Sequence, residues 1–112
     1  MFERVGATLE RYMDLLSARQ RIVASNLANA DTPGYRARDL EFQAEFQSFL
    51  AKAPPLAREV TGLKSRNDGN NVSVDREARL LAENAMRFSL ASAMARAEVR
   101  TIRNAIQEGR GG

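Results

Sequence analysis

The sequence predicts an all-α fold in which long N-terminal and C-terminal helices pair as an antiparallel coiled coil, with a short middle helix and an irregular loop between them. Three observations predict it. Apolar residues recur at alternating steps of four and three near the N-terminus, and the same stepping returns through the last third of the chain. The stretch between is interrupted by Pro54-Pro55 and by Asn67-Asp68-Gly69-Asn70-Asn71, both turn-forming sequences. A chain of 112 residues has room for one small domain. The expected division sets a terminal-helix unit, residues 1–35 plus 72–112, against a short helix and variable loop over 36–71.

The first helix is expected over about residues 7–30. Leu9, Met13, Leu16, Gln20, Val23, Leu27 and Ala30 form a heptad seam in which Gln20 is the one polar member. A polar seam residue costs stability and sets register. Tyr12, Leu15 and Ile22 widen the apolar face beyond a single seam. Thr32-Pro33-Gly34-Tyr35 then turns the chain: proline fixes φ at the second position, and glycine accepts the positive φ of the third. Pro33 also pushes Thr32 out of the helical region, so the helix stops near Ala30 or Asp31. Pro-Gly by itself marks an ordinary helix-ending turn.

A second, short helix is expected after Asp39, whose carboxylate can accept from free backbone N–H groups. Leu40, Phe42, Phe46, Phe49 and Leu50 give it an apolar face, read as core packing, and Pro54-Pro55 ends it. Residues 53–71 read as loop, with a brief strand over Val60–Lys64. The Asn-Asp-Gly-Asn-Asn turn is loosely similar to an acidic calcium loop but lacks the spaced ligands and terminal glutamate, so no metal site is expected.

The last helix is expected to start with Asp75 as N-cap. Val74, Ala78, Leu81, Ala85, Phe88, Ser92, Ala95, Val99, Ile102 and Ile106 keep the four-three stepping, and a second row (Ala82, Met86, Leu90, Ala93, Ala97) runs beside it. Gly109, Gly111 and Gly112 end it. Glu83 and Arg87 make a favourable i, i+4 pair, and Arg100 and Arg103 complement the helix dipole. At 1.5 Å per residue this helix spans roughly 50 Å against roughly 35 Å for the first. Its apolar surface is too wide for one partner, and such surface marks interaction sites. The expected assembly seam is Leu9, Met13, Leu16, Val23 and Leu27 on the first helix, with Leu81, Ala85, Phe88, Ala95, Val99, Ile102 and Ile106 on the last. The isolated chain is expected to be marginally stable, with partners supplying the missing burial.

Composition narrows the function. With neither cysteine nor histidine, disulfides, thiolate or zinc sites and a histidine base are excluded. Glu10 and Asp14 lie on an exposed helix face without a candidate pocket, so no catalytic residue, cofactor, metal or small-molecule substrate is expected. The net charge of +3 and pI of about 9.9 raise the question of nucleic acid, with Arg96, Arg100 and Arg103 on one side of the last helix. The arginines interleave with acids, however, which is the pattern of a solvated, salt-bridged face, and no nucleic-acid partner is expected. No apolar run approaches the ~18 residues of a membrane span. Met1 to Gly6 lack the features of a secretory signal, so the protein is expected to be cytoplasmic or exported without a cleaved signal.

Ala24-Ser25-Asn26-Leu27-Ala28-Asn29-Ala30-Asp31-Thr32-Pro33-Gly34-Tyr35 resembles the N-terminal signature of bacterial flagellar rod, hook and hook-associated axial proteins. Its signature and turn residues are Asn26, Leu27, Ala28, Asn29, Thr32, Pro33, Gly34 and Tyr35. Arg36 to Phe42, Asp68 to Glu77 and Leu81 to Asn84 resemble the proximal rod branch of that family, whereas residues 47–66 carry no resemblance. The resemblance implies a structural protein without enzyme activity or cofactor. It implies export in an unfolded state by the flagellar type III apparatus, without a cleaved signal peptide. It further implies helical polymerisation into the periplasmic rod with copies of itself and other rod proteins, near the MS ring and a FliE-type adaptor. The terminal helices would line the inner tube. The alternative is a cytoplasmic helical adaptor or chaperone-like binding module, which a stable monomer or dimer in concentrated solution would mark.

Overall fold

Residues 2–48 and 54–111 are described in a computed structural model. The chain forms helix α1 (Phe2–Ala28), strand β1 (Arg38–Leu40), helix α2 (Phe42–Gln47), strand β2 (Ala57–Glu59) and helix α3 (Val74–Gly111). Two long helices packed together dominate, as the heptad stepping predicts. Gly6 faces Glu98, and Leu16 faces Asn84, so α1 and α3 run antiparallel. With 27 and 38 residues, they differ in length enough for the end of α3 to run past the start of α1. The longest dimension of the molecule is 71 Å.

On α1 the seam lies where the apolar spacing puts it. Leu16 and Val23 are buried, and Leu9, Met13, Gln20 and Leu27 are half-buried. On α3 the seam is shifted by one residue. Leu81, Ala95 and Ile102 are half-buried as expected, but the interleaved column is Glu77, Asn84 and Ala91, all buried, followed by half-buried Glu98. The expected column of Ala78, Ala85 and Val99 is exposed, with Ser92 half-buried. Hydrogen bonding explains the shift. The Asn84 amide donates to the Leu16 carbonyl at 2.8 Å and to Gln20 Oε1 at 2.9 Å, so Gln20 has a buried polar partner across the seam. Asn84 Oδ1 has no hydrogen-bond partner. Replacing a buried polar pair by apolar residues removes a desolvation cost, whereas breaking half of it does not. Gln20→Leu combined with Asn84→Leu is therefore expected to raise stability by about 1 kcal/mol. Asn84→Ala alone is expected to lower it, and thermal melts followed by circular dichroism check both signs.

The opposite face of α1 carries the middle of the chain. Leu15, Ala18 and Leu40 form a buried cluster, against which Ile22, Phe42 and Phe46 pack. Tyr12 meets the rings of Phe42 and Phe46 edge-on, each at 5.7 Å between centroids. The phenylalanines of α2 thus serve as core; Phe49 and Leu50 lie outside the described residues.

Four boundary expectations are corrected. Asp39 does not cap α2: it sits in β1 with its carboxylate on arginines, and the residue preceding the helix, Glu41, makes no side-chain cap bond. The strand is not Val60–Lys64 but Ala57–Glu59, paired antiparallel with β1 in the register Arg38↔Glu59, Asp39↔Arg58, Leu40↔Ala57. Three-residue strands are too short to show a period of two. Asp75 lies inside the first turn of α3, and Ser73 precedes the helix, its hydroxyl accepting from the Arg76 N–H at 3.3 Å. At the other end α3 runs through Gly109 as far as Gly111.

Candidate assembly site

The Thr32–Tyr35 turn forms as its residues dictate. The Tyr35 N–H donates to the Thr32 carbonyl at 3.2 Å, and Gly34 has φ +75°. A second left-handed glycine, Gly69 at φ +85°, stands directly against it. A Cβ on Gly69 would lie 3.4 Å from Gly34 Cα, and the Gly34 N–H donates to the Asp68 carbonyl at 2.8 Å. The two turn sequences, far apart in the chain, are therefore one structure.

Asparagines knit it together. Just past the end of α1, the Asn70 amide donates to the turn carbonyls of Asn29 (2.9 Å) and Thr32 (2.8 Å). Asn70 Oδ1 in turn accepts from the Val72 N–H at 2.8 Å. The Arg66 guanidinium donates to the Ala30 carbonyl. Asn71 links the same segments: its N–H donates to the Tyr35 carbonyl at 3.2 Å, and its Oδ1 accepts from the Ala37 N–H at 2.6 Å.

Asn26, fully buried, holds both backbone groups of Arg38. Its amide donates to the Arg38 carbonyl at 2.8 Å, and its Oδ1 accepts from the Arg38 N–H at 3.1 Å. The Tyr35 hydroxyl donates to the same Oδ1 at 3.2 Å and lies 3.2 Å from Ser25 Oγ. Asn29 works locally, donating to the Ser25 carbonyl at 2.8 Å and accepting from Thr32 Oγ1 at 3.0 Å. Leu27 is half-buried, and Ala28, Thr32, Pro33 and Gly34 are exposed at the rim.

A charged network fixes this junction to the helix pair. Arg19 grips Asp39 with two bonds, Nε to Oδ1 at 3.0 Å and Nη2 to Oδ2 at 2.9 Å. Arg76 donates to Asp39 Oδ2 at 2.9 Å and to Glu77 Oε1 at 2.8 Å. Burial alone would push the Asp39 carboxyl up, but the Arg19 hydrogen bonds and charge, with the Leu40 N–H and Arg76, hold it below its ordinary value. Sequence reasoning did not single out Asn70, Asn71, Arg76 or Glu77 as site residues. The signal available was the asparagine pair directly after Gly69, since asparagine is the side chain that best imitates a backbone amide.

The expected assembly seam divides between two settings. Leu16, Val23, Leu81, Ala95 and Ile102 pack within the helix pair, while Ala85, Val99 and Ile106 are exposed and Phe88 is 36% exposed. Along one side of the pair a groove of about 540 Å³ is floored by Leu9, Met13, Phe88 and Val99. It continues past Ser17 and Phe88 into a second hollow of about 530 Å³ beside Leu16, Gln20 and Ala85. Another face of α3 exposes Met86 (68%), Leu90 (63%) and Met94 (52%). Among the described residues, no group of three metal-ligating side chains occurs and no helix is long and apolar enough to cross a membrane.

Long paired terminal helices, an elbow where two left-handed glycines meet and broad exposed apolar faces describe a structural subunit rather than a catalytic one. Comparison with known proteins agrees. Residues 11–36 match the family described as Flagella basal body rod protein. The chain is 31% identical to the flagellar basal body rod protein FlgB of Borrelia hermsii over 80% of this chain and 86% of that one. It is 29% identical to FlgB of Salmonella typhimurium LT2 and 27% identical to FlgB of Escherichia coli K12, in each case over 97% of this chain and 99% of the relative. The chain belongs to the FlgB family of flagellar basal body rod proteins: it is a structural component of the basal-body rod, in a family that is not an enzyme family.

Proposed function

We propose that this protein forms the proximal segment of the rod, polymerising helically with copies of itself and with other rod proteins, next to a FliE-type adaptor and the MS ring. The observation that carries the reading is the amount of apolar surface that α3 leaves outside its pairing with α1, on two separate faces. A helix exposed on two such faces suits a polymer with several neighbours per subunit, and heterologous, non-closing contacts generate a helical tube. The terminal-helix unit, 1–35 with 72–112, would line the tube, and residues 36–71 would lie outside it. Export without a cleaved signal, in an unfolded state through the flagellar type III apparatus, fits a chain whose burial is completed only by neighbours.

Mass spectrometry of purified basal bodies, with hooks and filaments analysed separately, tests the location. Recovery in the basal body and absence from hook and filament are expected; a protein confined to the cytosol would favour the adaptor alternative. Two substitutions test the mechanism. Gly34→Val forces a β-branched residue to φ +75°, although a Cβ there would meet nothing within 4 Å. The cost is therefore backbone strain, about 1–2 kcal/mol, concentrated at the elbow. Leu27→Asp puts a carboxylate on the seam. Each is expected to abolish motility and rod formation, and electron microscopy of basal bodies showing rods of normal length would refute the assignment.

A further inference from the structure

We infer that the acid-rimmed groove between α1 and α3 receives the back of α3 from a second copy of this chain, the two copies lying side by side and pointing the same way. The inference rests on the rod reading above and names the contact within it. The Leu9, Met13, Phe88 and Val99 floor is apolar, and the charged residues lining this stretch are all acidic: Glu10, Asp14 and Glu98. An occupant therefore needs an apolar strip flanked by positive charge. The chain carries one. At about 100° per residue, Ala82, Met86, Leu90, Ala93 and Ala97 fall within an arc of about 80° on α3, and all five are exposed. Arg96, Arg100 and Arg103, also exposed, line one edge of that arc.

Position along the molecule decides orientation. The acids lie near the start of α1, where Gly6 faces Glu98. Arg96 and Arg100 flank Glu98 along α3, while Glu10 and Asp14 follow about one to two turns further toward the Leu16–Asn84 level. Matching the two charge clusters puts neighbouring α3 helices parallel with little stagger; an antiparallel neighbour would place its arginines beside Arg21 at the far end of the groove. The small residues Ala93 and Ala97 let the incoming backbone approach the floor closely. The contact is heterologous, groove to back, so each added copy presents a free groove at one side and a free back at the other.

The absence of cysteine makes the test direct. Full-length Val99→Cys and Ala97→Cys proteins, both altered at exposed positions, are mixed at increasing concentration and oxidised. The expected result is a mixed 97–99 disulfide in at least tenfold excess over 97–97 and 99–99. Adding Arg96→Glu and Arg100→Glu to the Ala97→Cys protein should suppress it about tenfold, and adding Glu10→Arg and Asp14→Arg to the Val99→Cys protein should restore it. Predominance of 99–99, a yield indifferent to charge reversal, no disulfide at all, or capture of the Val99→Cys protein by a different rod protein in basal bodies would each overturn the inference. Basal bodies of cells carrying Arg96→Glu and Arg100→Glu separate the two levels. Normal incorporation of that variant overturns the groove contact alone, whereas absence of the unaltered protein from basal bodies overturns the rod reading as well.

Discussion

Asn26→Ala is expected to lower stability by about 3–4 kcal/mol, more than any other single change in the signature stretch. The Asn26 amide holds the Arg38 carbonyl and N–H at 2.8 and 3.1 Å and accepts the Tyr35 hydroxyl at 3.2 Å, from a fully buried position. Alanine leaves those groups without their partner at a fully buried position. Each unsatisfied group costs about 1–3 kcal/mol, so loss of the clamp exceeds the loss of its bonds. Asn29→Ala removes two bonds at a less buried place, to Ser25 and Thr32, and is expected to cost about 1 kcal/mol. Urea unfolding of the two variants checks the order. Amide exchange at Arg38 gives a sharper readout: it should quicken markedly in Asn26→Ala and barely in Asn29→Ala. Equal loss in both variants would mean that Asn26 acts through helix ending alone, without the clamp.

The contrast between those two asparagines shows what the sequence carries and what it hides. Heptad stepping placed both long helices because a 3.6-residue period is local information, and the Pro-Gly turn was legible because proline and glycine restrict their own dihedrals. Nothing local says that the Gly34 turn rests on the Gly69 turn, or that Asn70 reaches the carbonyls of Asn29 and Thr32 across some forty residues of chain. The α3 seam was misplaced for a related reason. Apolar counting favours the column of Ala78, Ala85, Ser92 and Val99, but the column that faces α1 is Glu77, Asn84, Ala91 and Glu98. Two of its members are buried polar residues whose partners, the Arg76 guanidinium for Glu77 and the Leu16 backbone carbonyl with Gln20 Oε1 for Asn84, are polar groups that no hydrophobic count registers. The apolar column so displaced is left at the surface of α3, with Ala78, Ala85 and Val99 exposed. Asp39 was misread as a cap because aspartate before a helical stretch usually is one; its two arginines come from α1 and α3, and only the folded chain brings them together.

Those two arginines make Asp39 the second large expected effect. Asp39→Asn should lower stability at neutral pH by about 2–4 kcal/mol, because it leaves Arg19 and Arg76 facing a neutral amide in a poorly solvated site. The side chain of Asp39 is 12% exposed and those of both arginines 20%, so water compensates little. The same site sets an acid response whose sign follows from linkage. The folded chain holds the Asp39 carboxyl below its ordinary value of 3.8, so the unfolded chain takes up its proton first as pH falls. The contribution is fully present above that ordinary value and is lost as pH drops through the lower, folded-state value. Unfolding free energy of the unaltered protein should therefore fall on acidification below about pH 4, and this part of the fall should be missing in Asp39→Asn. Urea titrations at a series of pH values decide it. Parallel curves for the two proteins would mean that the carboxylate is solvated and that Arg19 and Arg76 are held by packing. Converging curves would establish the ion network as what ties α1, the elbow and α3 into one unit. The groove and the back of α3 keep their relative positions only while α1, β1 and α3 move together, and the Asp39 network is what joins those three elements.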